Sequence, residues 1–144
     1  SLSNGFVGQD FHGIINRAEE NGIGVIGIRV LAGGALCGAI ARSHPAARIV
    51  AGSLVSGAEY DEDARRAKKL GFLLGKDVTS LSQAAVRFAL MHPGVSTVLL
   101  GFSHMYQVYQ ATGCSDAGPM SVGVLERLRK LWESDFGTHT TRTA

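Results

Sequence analysis

Apolar and polar positions alternate along the chain in a pattern that predicts helices around two buried strands. The first strand is predicted over Ile23 to Leu31, where an apolar, β-branched run is interrupted only by glycines and Arg29, as in a parallel strand covered on both faces. The second is predicted over Val95 to Leu100, which reads VSTVLL and is followed by Gly101. Because two strands alone make a marginal sheet, the pattern indicates part of something larger.

The sequence predicts five helices, at residues 10–21, 61–74, 81–91, 104–111 and 122–132. Apolar spacing indicates the first, third and fifth, and acidic residues before basic ones indicate the second. Asp10 and Gly22 are expected to bound the first, and Ser80 with Gln83 is typical of a capping box at the third. Ser121 is expected to cap the last helix. The predicted buried faces of the third and fifth helices are Leu81, Ala84, Ala85, Phe88 and Ala89, and Val122, Leu125, Leu128 and Leu131.

The order of these elements predicts an α/β protein with parallel strands in one 144-residue segment. Residues 39–58 have no clear period and are interpreted as a long functional loop with a short helical turn. Residues 137–144 are polar and are expected to form a flexible tail. In the second helix, the run containing Arg65, Arg66, Lys68 and Lys69 is interpreted as a solvated face.

Both predicted strands lead into loops suited to an anion. Residues 32–38 contain three glycines, so the backbone can turn sharply and bring N–H groups against a phosphate; a tight turn without a ligand explains them equally well. Ser103 and the amides after Gly101 begin a helix, where an anion or a plain N-cap is expected. Since ligands of parallel α/β folds gather at the carboxyl ends of strands, the loops are expected to share one rim.

Arg29 and the two tyrosines on the fourth predicted helix have open roles. Arg29 interrupts an apolar strand, where an unpaired charge is costly, so it is expected to face a phosphate or carboxylate or to form a structural salt bridge. Tyr106 and Tyr109 could stack on a base, although packing is the preferred interpretation.

Composition and charge exclude several partners. Hydrophobic residues make up 45% of the chain and the net charge is +2, with no basic tract interleaved with aromatics, so nucleic acid is not expected. The apolar window at 23–36 is too short to span a bilayer. Cys37 and Cys114 lie far apart without CxxC spacing, which favours a reduced, cytoplasmic setting.

The sequence contains no complete set of catalytic residues. Its five histidines lack HxxxH or HExxH spacing, so a metal is not expected. GxSxG is absent, and neither cysteine has a visible base. The Gly22–Gly24 pair precedes the strand, which gives no support for a dinucleotide fingerprint.

Three segments together resemble the C-terminal part of the aldo-keto reductases, over most of residues 9–136: GIGVIGIRVLAGGALCG, SLSQAAVRFALMHPGVSTVLLGFS and the helix that follows. In that family a strand ending L-x-x-G-x-L-x-G is the seventh of a (β/α)8 barrel, and Leu31, Gly34, Leu36 and Gly38 match it. The segment from Leu81 resembles the seventh barrel helix and eighth strand. The resemblance implies the C-terminal portion of a (β/α)8 TIM barrel, with about two parallel strands and flanking helices.

The resemblance also implies NADP(H) as cofactor, held across the two loops. The first loop would cradle the pyrophosphate and the second the adenosine 2′-phosphate end. The cofactor residues implied by position are Arg29, Leu31, Gly33, Gly34, Leu36, Gly101, Ser103, Gln107 and Gln110. This chain has Gln110 and Ala111 where the family pattern has Glu-Asn, and Ile28 where relatives often place an aromatic ring beneath the nicotinamide.

The family's catalytic Asp, Tyr, Lys and His belong to the N-terminal half of the barrel, so the resemblance implies a segment inactive by itself. Its parent reaction is hydride transfer between nicotinamide and a small-molecule carbonyl. The chain is interpreted as a designed or proteolytic piece whose partner is the missing N-terminal part or a second copy. Two alternatives stay open: a non-catalytic, self-associating module with exposed strand edges, and a fragment of another phosphate-binding (β/α)8 enzyme.

Overall fold

A computed structural model of the chain describes residues 13–37 and 60–137. Five helices, two strands and three short 3-10 turns lie in these ranges. In chain order they are α1 (Ile14–Glu20), β1 (Val25–Ile28), a turn (Ala32–Cys37), α2 (Tyr60–Lys68), a turn (Gly71–Leu73), α3 (Leu81–Leu90), β2 (Val95–Leu99), α4 (Met105–Thr112), α5 (Val122–Glu133) and a turn (Asp135–Gly137). Asp10, the predicted loop 39–58 and residues 138–144 of the predicted tail lie outside the described residues.

The two strands are neighbours and run parallel. Val25 lies opposite Val95 and Ile28 opposite Leu99, with a register irregularity just after Val25. There the side chain of Ser96 joins the ladder, because its Oγ accepts a hydrogen bond of 3.1 Å from the amide of Val25. This pairing confirms the predicted α/β arrangement with parallel strands.

One face of the sheet carries exposed apolar side chains. Ile26 and Ile28 are each 62% exposed and Leu99 is 67% exposed. The prediction that the first strand is covered on both faces is therefore wrong, and the strand is also shorter than Ile23 to Leu31. It ends at Ile28 because Arg29 takes a left-handed conformation with φ of 56°. We call Ile26, Ile28 and Leu99 the apolar sheet face.

The hydrophobic core lies between the helices and the glycine-containing turn after β1. Its buried members come from that turn, from α2 and the residues directly after it, from α3 and α5, and from the last 3-10 turn. They are Ala35, Ala67, Leu70, Leu81, Leu128 and Phe136. The ring of Phe88 meets that of Trp132 edge-on at 5.5 Å between centroids. Since Ala35 is fully buried, the core anchors the turn directly after the first strand.

The predicted buried faces of two helices are partly wrong. On α3, Val86 is buried together with Leu81 and Ala84, whereas the remaining predicted positions are only half-buried. On α5, Leu128 is buried as predicted, but Val122 is 72% exposed. Val122 is the first residue of its helix, and at this end no neighbouring element covers its side chain among the described residues. Apolar spacing alone does not show where a helix loses its packing partner.

The caps explain why the helices begin where they do. Ser80 Oγ accepts from the amide of Gln83 at 3.2 Å, as expected for the first half of a capping box. The side chain of Gln83 reaches back to the amide of Thr79 at 2.8 Å rather than to that of Ser80. Ser121 Oγ accepts from the amide of Val124 at 3.4 Å. These bonds satisfy N–H groups that a helix N-terminus leaves without intrahelical partners.

The second predicted helix differs most from its sequence pattern. Helix α2 ends at Lys68, and a separate 3-10 turn follows at Gly71–Leu73. Arg66 is only 7% exposed, so its charge run is not simply a solvated face. Among the described residues no helix is long and apolar enough to cross a membrane.

Candidate functional site

The loops that follow β1 and β2 leave the sheet at the same end. Ile28 and Leu99 are partners in the parallel register, so Arg29 and Leu100 begin the two loops about 5 Å apart, one strand spacing. The expectation that the loops share one rim agrees with this register. The loop that contains Arg29, Leu31, Gly33, Gly34 and Leu36 therefore starts at the same edge of the sheet as the loop that contains Gly101 and Ser103.

Left-handed backbone conformations shape the loop after β1. Gly33 has φ of 66° and Gly34 has φ of 102°, values that glycine adopts freely. Arg29 and Ala32, with φ of 56° and 49°, occupy the same region despite their Cβ atoms, which costs on the order of 1 kcal/mol for each. A side chain at Gly34 would meet Tyr60 Oη at 3.7 Å, so conformation rather than space requires glycine there.

A single carbonyl closes this loop. The amides of Gly34 and Leu36 both donate to the oxygen of Leu31, at 2.9 and 3.2 Å. Arg29 is half-buried and forms no ion pair with a carboxylate in residues 13–37 or 60–137. Of the roles expected for Arg29, the structural salt bridge is therefore not formed with any described residue. Gly38, the last residue of the L-x-x-G-x-L-x-G pattern, lies outside the described residues.

In the second loop three donors converge on one oxygen atom. Gln107 Oε1 accepts from the amide of Ser103 at 2.8 Å, from the amide of His104 at 3.2 Å and from Ser103 Oγ at 3.3 Å. The N-cap of α4 is His104, so the expectation of Ser103 as the plain cap is off by one residue. Oriented donors of this kind at a helix N-terminus match the requirements of a phosphate oxygen.

Gln110 lies further along α4 than this cluster. Its side chain is exposed, and its carbonyl accepts a hydrogen bond from Cys114 Sγ at 3.3 Å. Tyr106 and Tyr109 are 58% and 72% exposed, so the prediction that both pack into the protein is wrong. The exposed rings and Gln110 leave most of the outer surface of α4 open to solvent.

Sequence reasoning missed two contacts behind the first loop. Ser82 Oγ donates to Cys37 Sγ at 3.3 Å, which joins the end of the loop to the first turn of α3. Cys114 is buried, its Sγ donates to the carbonyl oxygen of Gln83 at 3.9 Å, and burial raises the pKa of its thiol. Neither contact has a sequence signal, because the paired residues lie far apart in the chain.

In a comparison with models of protein families, residues 8–133 match the model described as the aldo/keto reductase family. The chain belongs to the aldo/keto reductase family. No curated protein and no solved structure matched the chain. The resemblance in the sequence is thus confirmed, and membership supports an oxidoreductase-type function.

Aldo/keto reductases generally use nicotinamide cofactors, and each of the two loops has one feature that bears on a phosphate group. In the first loop, Gly33 and Gly34 have no side chain to block approach to the backbone. In the second, the donors on Ser103 and His104 already hold one oxygen, that of Gln107. Within the described ranges no group of three or more His, Cys, Asp or Glu residues could hold a metal ion.

Proposed function

We propose that this aldo/keto reductase chain is the C-terminal part of a (β/α)8 barrel and binds NADP(H) in the two loops. The observation that carries the proposal is the parallel register of Ile28 with Leu99, which starts both loops at one end of the sheet. Phosphate groups in such barrels sit after the seventh and eighth strands. The parent reaction is hydride transfer between the nicotinamide and a small carbonyl or alcohol substrate.

Each loop has a separate task in this proposal. Arg29, Leu31, Gly33, Gly34 and Leu36 hold the pyrophosphate, with the positive charge of Arg29 supporting the glycine-rich backbone. The donors near Gly101, namely those of Ser103 and His104, take the 2′-phosphate in place of Oε1 of Gln107, and the side chains of Gln107 and Gln110 border the adenosine. Recognition of a 2′-phosphate makes the cofactor NADP(H) rather than NAD(H).

The bound nicotinamide supplies the hydride, and the residues of this chain hold and orient the cofactor. We assign no catalytic residue within the 144 residues. In the proposal the proton donor and its Asp, Lys and His partners come from the N-terminal part of the barrel, so the chain alone is inactive. The same proposal sets it in the reduced cytoplasm, where the free thiols of Cys37 and Cys114 persist.

Isothermal titration of the purified chain with NADPH and NADH tests the cofactor. We expect NADPH to bind at least about tenfold more tightly than NADH, equivalent to about 1.4 kcal/mol. The titration is repeated with a separately produced segment carrying the first six strands of an aldo/keto reductase barrel. Absence of NADPH binding under both conditions would contradict the proposal.

Gln107→Glu separates cofactor binding from stability. The carboxylate keeps the bonds to Ser103 and His104 and strengthens them at a helix N-terminus, so the midpoint of thermal unfolding should stay level or rise. Its negative charge opposes the 2′-phosphate, so NADPH affinity should fall by about tenfold or more, as expected for a like-charge contact. NADH affinity should fall less.

Gln83→Glu is the matched control, because Gln83 makes the corresponding cap on α3 with Thr79. It should preserve stability and leave NADPH affinity within about twofold. Equal NADPH affinity for Gln107→Glu and the unaltered chain would exclude the second loop as the 2′-phosphate site.

A second candidate function is a non-catalytic module that associates with itself. The apolar sheet face favours it, since Ile26, Ile28 and Leu99 are all more than 60% exposed, and an unpaired sheet edge readily accepts another strand. The two candidates differ in a simple respect. A stable oligomer without nucleotide affinity supports the module, whereas NADPH binding supports the reductase segment.

A further inference from the structure

A second surface suited to anions lies away from the sheet edge, between the end of α2, the turn Gly71–Leu73 and the last turns of α5. It is an open cleft of about 290 Å³. We call it the basic cleft, and its lining residues are Lys69, Phe72, Arg127, Lys130, Leu131 and Ser134. Three of the six are cationic and none is acidic.

Arg127 is held in place by an aromatic ring. The carbon of its guanidinium group lies 4.1 Å from the centroid of Phe72, within the range of a cation–π contact. Stacking on a ring leaves the N–H donors at the edge of the guanidinium available. The contact also restricts the side chain before any ligand arrives, which lowers the entropy cost of binding.

Lys130 and Lys69 supply the other two charges. Lys130 follows Arg127 by three residues on α5, so the two side chains lie on one face about 5–6 Å apart at Cβ. Lys69 Nζ donates to the carbonyl of Phe136, and an ammonium group has two further donors. Among the described residues, neither Arg127 nor Lys130 forms an ion pair with a carboxylate.

The end of α5 does not supply strong competing acceptors. The amide of Ser134 donates to the carbonyl of Lys130 at 3.1 Å, and Ser134 Oγ donates to that of Leu131 at 2.9 Å. These bonds occupy carbonyls that would otherwise attract the cations as ordinary helix-end partners. Glu133, on the same helix, pairs with Arg129 at 3.8 Å, and neither residue lines the cleft.

We propose that the basic cleft binds a small molecule that carries two adjacent phosphate groups. Arg127 offers a planar pair of donors to one phosphate, and Lys130 and Lys69 offer point charges to the other. The site is separate from the loops after β1 and β2, and it does not depend on the proposed cofactor.

Titration of the full chain with inorganic pyrophosphate at low ionic strength tests the site. Arg127→Gln and Lys130→Gln should each weaken binding by about five- to tenfold, the loss expected for one charge-assisted contact. Arg129→Gln is the matched control, since it removes the same charge from the same helix but outside the cleft, and it should change the affinity by less than about twofold. Thermal unfolding of each variant verifies that it folds.

The same titration of Arg29→Gln distinguishes the cleft from the loop after β1. Retained binding in this variant together with loss in Lys130→Gln supports the cleft. Loss in Arg29→Gln alone assigns the signal to the loop and overturns the proposal. Absence of pyrophosphate binding, or equal weakening by Arg129→Gln, overturns it as well, whereas failure to bind NADPH bears only on the proposed function.

Discussion

At the scale of single residues, Arg66 joins two parts of the fold that lie far apart in sequence. Only 7% of the residue is exposed. Its guanidinium lies 2.9 Å from Glu62 and 3.4 Å from Asp135, and it stands 5.8 Å from the centroid of Phe136. A buried charge is tolerated only when it is paired and hydrogen-bonded. Arg66 thus fixes the turn Asp135–Gly137 onto α2.

Arg66→Met should destabilise the chain by about 2–3 kcal/mol, because it leaves Asp135 partly buried without its cation. Arg129→Met is the control, since it breaks an ion pair in which both side chains are more than 60% exposed and should cost less than about 0.5 kcal/mol. Urea unfolding followed by circular dichroism measures both. Similar losses for the two variants would show that burial of Arg66 is unimportant.

Asp63 gives a prediction about pH. Burial raises the pKa of its carboxyl above the ordinary 3.8, although Arg66 opposes the shift, and its Oδ1 has no hydrogen-bond partner among the described residues. The folded chain therefore holds this proton to higher pH than the unfolded chain. The contribution of Asp63 to the free energy of unfolding therefore falls as the pH rises from 3.8 through the raised pKa of the folded chain.

Asp63→Asn removes this titration. The stability of the variant relative to the unaltered chain should rise with pH across that window and then level off. Urea unfolding at a series of pH values from 3.5 to 7 measures the difference, with Asp116→Asn as an exposed control. A difference that does not change with pH would contradict the prediction.

At the scale of elements, α1 packs against the start of β2 at a glycine. Gly94 is buried, and a Cβ built on it would lie 2.8 Å from Ile15 Cγ2 and 2.9 Å from the carbonyl oxygen of Ile15. Backbone atoms cannot move aside as the end of a flexible side chain can. The His-Pro-Gly segment thus ends α3 and also allows α1 to approach the strand.

Gly94→Ala should therefore destabilise the chain by about 1–3 kcal/mol, the range for inserting a methyl group into a packed contact. Gly123→Ala introduces the same atoms within α5, where the added Cβ meets nothing within 4 Å. This control should stabilise the chain by up to about 1 kcal/mol, because alanine favours a helix. Shifts of the thermal midpoint in opposite directions would confirm the predictions for both variants, whereas equal shifts would exclude a close contact at Gly94.

At the scale of the whole molecule, the apolar sheet face departs from an ordinary globular surface. Ile26, Ile28 and Leu99 are neighbours on the paired strands, and each is more than 60% exposed. In a closed barrel the strands pack side chains on both faces. A contiguous exposed apolar patch is typical of an interaction surface.

We expect the chain to associate with itself in the absence of a covering segment. The double variant Ile26→Ser, Leu99→Ser should lower the association constant by about tenfold or more, because it removes two apolar side chains from the contact. Ile14→Ser is the control, since Ile14 is 59% exposed on α1 and is not part of the apolar sheet face. Sedimentation equilibrium measures the three proteins, and a chain that remains monomeric at high concentration would contradict the expectation.

Local sequence determined the elements and the character of the loops. Apolar spacing and the Ser80 and Ser121 caps located α3 and α5, since these features depend on residues within one turn of each other. The glycines of the first loop indicated a sharp turn, which the left-handed angles at Gly33 and Gly34 confirm. The motifs across both strands identified the family.

Only the tertiary structure decided how those elements face one another. It placed the ends of β1 and β2 side by side, buried Arg66 and left Val122 exposed. It also paired the hydrogen-bond donors of the second loop with Oε1 of Gln107. Each of these facts depends on groups brought together by packing, and an apolar residue has the same local pattern whether its face is covered or open. The sequence by itself therefore determined what this chain is built from, and packing decided which of its surfaces remain available for binding.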